Sequence, residues 1–139
     1  MFKKIVWATD GSDGADRALE IAKSIATESK ASLIAVHTIE YLVSKGTALQ
    51  DIDDDERQVK IRKQVSELSA AGLDASAKIV QGGMSGAAHT IAGIAKQEGA
   101  DLIVVGTRGH TVLAGLLLGS VSQRLPHLAS CPVMVVPDA

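Results

Sequence analysis

The stretch LIVVGTRG, Leu102–Gly109, joins an apolar, β-branched run to a pair of glycines. Such a run is too short for a helix. Closed by a turn residue, it reads as a strand buried on both faces. The same pattern recurs along the chain. Ile5-Val6-Trp7-Ala8 ends in Asp10-Gly11-Ser12, and Val133-Met134-Val135-Val136 ends in Pro137. Leu33-Ile34-Ala35-Val36 is a further apolar run of this kind. Ala75-Ser76-Ala77-Lys78-Ile79 alternates instead, as a strand with one wet face at a sheet edge does.

Between these runs lie helical periods. Ala18, Ala22, Ile25 and Ala26 share one face, and Ile61, Val65 and Leu68 a second. Ala88, Ile91, Ala92 and Ala95 form a third, and Val121, Leu125 and Leu128 a fourth. Ser12 or Asp13, Ser85 and Ser120 are candidate N-caps, and Gly72 and Gly99 stand where helices should stop. Strict alternation of strands and helices predicts an α/β fold: a three-layer, open, parallel five-stranded sheet of order 3-2-1-4-5, Rossmann-like, in a single domain over residues 1–139. The connection YLVSKGTALQDIDDD, Tyr41–Asp55, is long for such a fold and reads as a mobile surface loop.

Composition removes several function classes. Aromatics are 2% of the chain, too few for a single-strand nucleic-acid platform. The net charge of -2 and pI near 6.0 offer no basic field for DNA or anionic lipid. No run is long enough to span a membrane, and the N-terminal apolar run is too short for a signal peptide, so a cytoplasmic protein is expected. One cysteine, Cys131, excludes a disulfide within the chain and reads as an inert core thiol. His37, His89, His110 and His127 show no zinc spacing. Counting an EF-hand loop from Asp51 puts Glu56 where glycine is needed and Arg62 where glutamate is needed. The acids of that run instead suit the positive end of the helix that follows. Ser120 lies outside any Gly-x-Ser-x-Gly elbow, and neither a dinucleotide glycine fingerprint nor a P-loop is present.

What remains is a crevice. In a sheet of this order ligands bind beyond the strand C-termini where the order reverses, between the first and fourth strands. The exits there are Ala8-Thr9-Asp10-Gly11-Ser12 and the stretch from Gly106. Gly106 and Gly109 let a ligand approach the main chain. Gly119-Ser120-Val121-Ser122 opens a helix whose free N–H groups suit an anion, and Ser120, Ser122 and Arg108 add donors. A carboxylate at Asp10 is repelled by a phosphate unless it bonds a ribose hydroxyl or holds a divalent cation such as Mg2+.

At these residues the sequence resembles the ATP-binding type of universal stress protein. The resemblance rests on Gly106-Thr107-Arg108-Gly109, the nine residues His110 to Leu118, and Gly119-Ser120, together with Asp10 at the end of the first strand. It runs from KKIVWATDGS to CPVMVVP. It implies an adenine-nucleotide alpha hydrolase-like fold with ATP in the crevice. Ala8, Thr9 and Asp10 then border adenine and ribose, and His37 and Thr38 border the base. Gly106, Arg108, Gly109, Gly119, Ser120, Val121 and Ser122 hold phosphates. His37 reads equally as a packed core histidine. The resemblance also implies a homodimer through the Val133–Val136 strand, whose apolar edge must be covered in any case. The expected function is a nucleotide-dependent stress or signalling switch with an unidentified protein partner and at most slow ATP hydrolysis. Two alternatives stay open: a sensor of AMP or cyclic AMP, and an interaction module with little nucleotide dependence. The spacer His110–Leu118 is longer than a triphosphate needs, so its apolar Val112–Leu118 segment must fold back on the domain, a mate or a partner.

Overall fold

The computed structural model describes residues 2–39, 41–44, 47–50, 54–107 and 120–137. The elements in chain order are β1 (Lys4–Ala8), α1 (Asp13–Ser29), β2 (Ser32–Ile39), β3 (Tyr41–Ser44), β4 (Thr47–Gln50), α2 (Asp54–Ala70), β5 (Ala75–Gln81), α3 (Ala87–Glu98), β6 (Leu102–Gly106), α4 (Ser120–Leu128) and β7 (Val133–Val136). Five strands form one parallel sheet of order β5-β2-β1-β6-β7. Counted within that sheet, this is the predicted order 3-2-1-4-5. The alternating strand β5 lies at one edge and β7 at the other.

Successive residues of β1 point to opposite faces, and both faces are covered. Ile5 and Trp7 join Leu33, Ala35, Leu102 and Val104 beneath α1 and α2. Val6 and Ala8 join Ile34, Val36, Ile103 and Val105 beneath α3 and α4. This double burial is why the central strands are apolar without alternation. Helix α1 meets the sheet through Ala15, Ala18, Ala22 and Ala26, a stripe of small side chains that brings its axis close. Trp7 fills the space at its start, and its indole N–H donates to the Ala15 carbonyl at 2.9 Å.

That close approach continues at the end of β6. A Cβ on Gly106 would lie 2.7 Å from the Gly14 carbonyl oxygen in the first turn of α1. Gly106 is needed here for backbone-to-backbone packing.

Two expectations fail locally. The Tyr41–Asp55 connection is not a plain loop: β3 and β4 pair antiparallel, with Ser44 opposite Thr47, and α2 begins at Asp54. Two residues in sequence, Lys45 and Gly46, separate the strands. Ser85 does not cap α3. The N-cap is Gly86, with a φ of 99° and no side-chain cap bond, because the chain turns into the helix one residue later than expected. Ser12 does cap α1, accepting from the Ala15 N–H at 3.2 Å.

Gly106→Ala should cost about 1–3 kcal/mol, because the contact it creates is with main chain that cannot rotate away. The urea midpoint of unfolding measures the loss, and an unchanged midpoint would contradict the packing account.

Candidate functional site

The strand order reverses between β1 and β6, and beyond the C-terminal ends of these strands lies the position where open parallel sheets form a ligand crevice. On the β1 side the chain closes on itself. The Thr9 N–H donates to the Val36 carbonyl at 3.0 Å, the last rung toward β2. The Thr9 hydroxyl oxygen accepts from the Gly11 N–H at 3.1 Å, and Asp10 Oδ1 accepts from the Ser12 N–H at 2.9 Å. With Ser12 capping Ala15, the amides of Gly11, Ser12 and Ala15 have local acceptors. Asp13 and Asp16 add acidic charge in the first turn of α1. Those acids disfavour a phosphate at this helix start.

On the β6 side the balance differs. The first turn of α4 carries no acid. It is tied to the β6 exit, because the buried Ser122 hydroxyl donates to the Thr107 carbonyl at 3.1 Å. The Thr107 N–H donates in turn to the Val136 carbonyl at 3.1 Å. Val121 packs half-buried against the core beneath α3 and α4. Ser122 has one hydroxyl proton, and that bond uses it. Its contribution to an anion site is therefore to hold the first turn of α4 in place. Of the predicted phosphate residues, Gly106, Ser120, Val121 and Ser122 belong to β6 and α4. Arg108, Gly109 and Gly119, like the Val112–Leu118 segment, lie outside the described residues.

The β2 exit supplies the third wall. Thr38 is buried, and Gly82 at the β5 exit lies against it, with its N–H bonded to the Ile39 carbonyl at 3.0 Å. His37 is 3% exposed, and both its ring nitrogens are engaged. Nδ1 meets the Thr9 carbonyl at 2.9 Å, and Nε2 meets Asp54 Oδ1 at 2.8 Å. No ring nitrogen is left to read a base.

Asp54 and the face of α2 behind it were not among the predicted site residues. Gln58 Nε2 donates to Asp54 Oδ2 at 2.5 Å. Lys60 Nζ donates to the Gly11 carbonyl and to Asp16 Oδ2, both at 2.8 Å. The Arg57 stem packs on Gly11, where an added Cβ would come within 3.1 Å of it. A usable signal existed in the sequence. Asp54, Arg57 and Gln64 fall on the stripe that carries Ile61 and Leu68, and polar groups on a core-facing stripe have partners.

Among the described residues no group of three His, Cys, Asp or Glu side chains could hold a metal ion. None of their helices is long and apolar enough to cross a membrane. Cys131 is half-buried, and burial, helped by the charge of Asp101, pushes its thiol up from the usual range.

The Universal stress protein family model matches residues 1–137. Universal stress protein YxiE of Bacillus subtilis is 36% identical over 98% of this chain and 99% of its own. Among solved structures, universal stress protein UspA from Lactobacillus plantarum superposes with a TM-score of 0.78 over 96% of this chain and 97% of its own. At 24% identity that likeness concerns the fold. A universal stress protein solved in complex with cAMP is 29% identical, with a TM-score of 0.68 over 97% of this chain and 96% of its own.

The raised thiol predicts slow chemistry at Cys131. A thiol whose pKa lies above the ordinary range is almost wholly protonated at neutral pH. Alkylation by iodoacetamide should therefore run slower than that of free cysteine at pH 7.5, and catch up only at pH values above the ordinary thiol range.

Proposed function

The chain belongs to the universal stress protein family, and we propose that it is a nucleotide switch that binds ATP in the crevice between β1 and β6. The observation that carries this reading is the asymmetry of the two helix starts facing the crevice. The start of α1 is closed by Asp10, Ser12 and its own acids, whereas the start of α4 has no acid and is tied to the β6 exit by Ser122. A phosphate chain is favoured only at the second, where N–H groups and the helix dipole meet it.

In this reading Ala8, Thr9, Asp10 and Thr38 border adenine and ribose. The start of α4 with Gly106, Arg108, Gly109 and Gly119 borders the phosphates. The Asp10 carboxylate suits a ribose hydroxyl, or a Mg2+ ion whose other ligands are phosphate oxygens and water. A cation held in that way needs no cage of protein ligands. Asp10 is the one carboxylate proposed at the phosphates, so the chemistry favours binding and change of state over fast turnover.

A second reading has its own support. The relative solved with cAMP makes a monophosphate sensor the alternative, with the same base wall and fewer phosphate contacts. An assembly reading goes with both. Strand β7 is an edge strand with Met134 37% exposed and Val133 and Val135 half-buried, and we propose that it pairs with its copy in a homodimer.

Mass spectrometry of the ligand released from purified protein, with calorimetric titration of ATP, AMP and cyclic AMP, tests the assignment. Tightest binding of ATP is expected. Tightest binding of a monophosphate would favour the alternative, and no binding of any of the three at millimolar levels would end both readings. Gly119→Asp, which sets a carboxylate directly before α4, should weaken ATP by about 100-fold, the penalty of a like charge facing a phosphate. Sedimentation should show a dimer that Met134→Lys converts to monomer.

A further inference from the structure

At Thr9 the parallel ladder stops. The Thr9 N–H finds the Val36 carbonyl, but the Thr9 carbonyl points past the last rung. A buried carbonyl without a donor is costly. His37, the residue after Val36, supplies the donor from its side chain. A carbonyl oxygen only accepts, so Nδ1 carries the hydrogen and the ring acts as one more rung.

That assignment fixes what happens on the other side of the ring. Asp54 Oδ1 lies 2.8 Å from Nε2, and neither atom can be left as a bare lone pair facing the other. One proton lies between them, as imidazolium against carboxylate or as neutral imidazole against carboxylic acid. The second oxygen of Asp54 takes the Gln58 amide. His37 and Asp54 are 3% and 2% exposed, so water does not substitute for either partner.

We propose that His37 and Asp54 are a positioning dyad for the nucleotide site. Asp54, the first residue of α2, orients the His37 ring, and the ring holds the Thr9 carbonyl and so fixes the Thr9–Ser12 turn that presents Asp10. Lys60 and Arg57 grip the same turn at Gly11, so α2 holds it by three side chains: one through His37, one by charge and one by contact. The inference rests on the nucleotide reading for its functional consequence, but the hold on the turn is testable without a nucleotide.

Asp54→Ala and Asp54→Asn separate the possibilities. Asparagine keeps both bonds: its amide N–H donates to Nε2 of a neutral His37, and its oxygen accepts from Gln58. Alanine removes both and frees the ring. Asp54→Ala should shift the backbone amide resonances of Gly11 and Ser12 and raise the Kd for ATP about tenfold, as the fraction of turns in the binding shape falls. Asp54→Asn should restore both readouts to near wild type. If the dyad only supports the fold, Asp54→Ala lowers the melting temperature yet leaves the Gly11 and Ser12 resonances and the Kd unchanged, and that result overturns the proposal. Should Asp54→Ala not fold, Gln58→Ala unties only the outer oxygen. It should raise the Kd about threefold by the same loss of the binding shape, and an unchanged Kd counts against the dyad. If wild-type protein binds no ATP, the nucleotide reading falls, while the amide resonances still decide whether the dyad holds the turn.

Discussion

A strand buried on both faces has nowhere to place a polar group except at its ends. β1 and β6 obey this: Ile5, Val6, Trp7, Ala8 and Leu102 to Val105 are all buried, and the charged Lys4 stands at the strand's open end. Everything chemical is therefore driven to the few residues just beyond them. The helices are bound by the same condition. They must cover both faces of the sheet, so each begins or ends beside a strand exit. The crevice is the residue of this packing problem, and its two lips differ because the two helix starts were closed in different ways.

The lip formed by Thr9 to Ser12 is braced locally and carries an acid. The Thr9 hydroxyl accepts from Gly11, the Asp10 carboxylate from Ser12, and the Ser12 hydroxyl from Ala15 in the helix that follows. The lip formed by α4 is held from behind, through Ser122 and Thr107, and its first turn carries no acid. A ligand with one polar, hydroxyl-bearing end and one anionic end matches such a pair.

Much of this was legible in the chain. The β-branched runs ending at Asp10, Gly106 and Pro137 marked strands, because burial on both faces leaves no alternation to blur them. The alternation of Ala75 to Ile79 marked an edge for the converse reason. Asp10 and Gly106 could be placed on one crevice because strand order follows from element order in this class of fold. Other features were not legible. The Tyr41–Gln50 hairpin depends on pairing between two runs of four residues, each too short to show a period. Also hidden was the close approach to Gly106 of Gly14, whose carbonyl forbids any side chain there. The union of His37 with Asp54 joins a strand to a helix across the hairpin, and nothing local in VHTI or DIDDD announces it. Sequence patterns report periods and chain ends well; they do not report which buried polar group will find which.

The register of the central pair has a consequence in time. Ile5 lies beside Leu102, with the rest of the sheet on one flank and most of the chain between them. During synthesis β1 can zip to β2 early, but its other flank must wait until β6 has left the ribosome. A nascent chain therefore carries a bare, apolar strand edge for most of its translation, the kind of edge that invites association with other chains. It also lacks the crevice throughout that period. Whatever the finished protein responds to, the unfinished one is deaf to it.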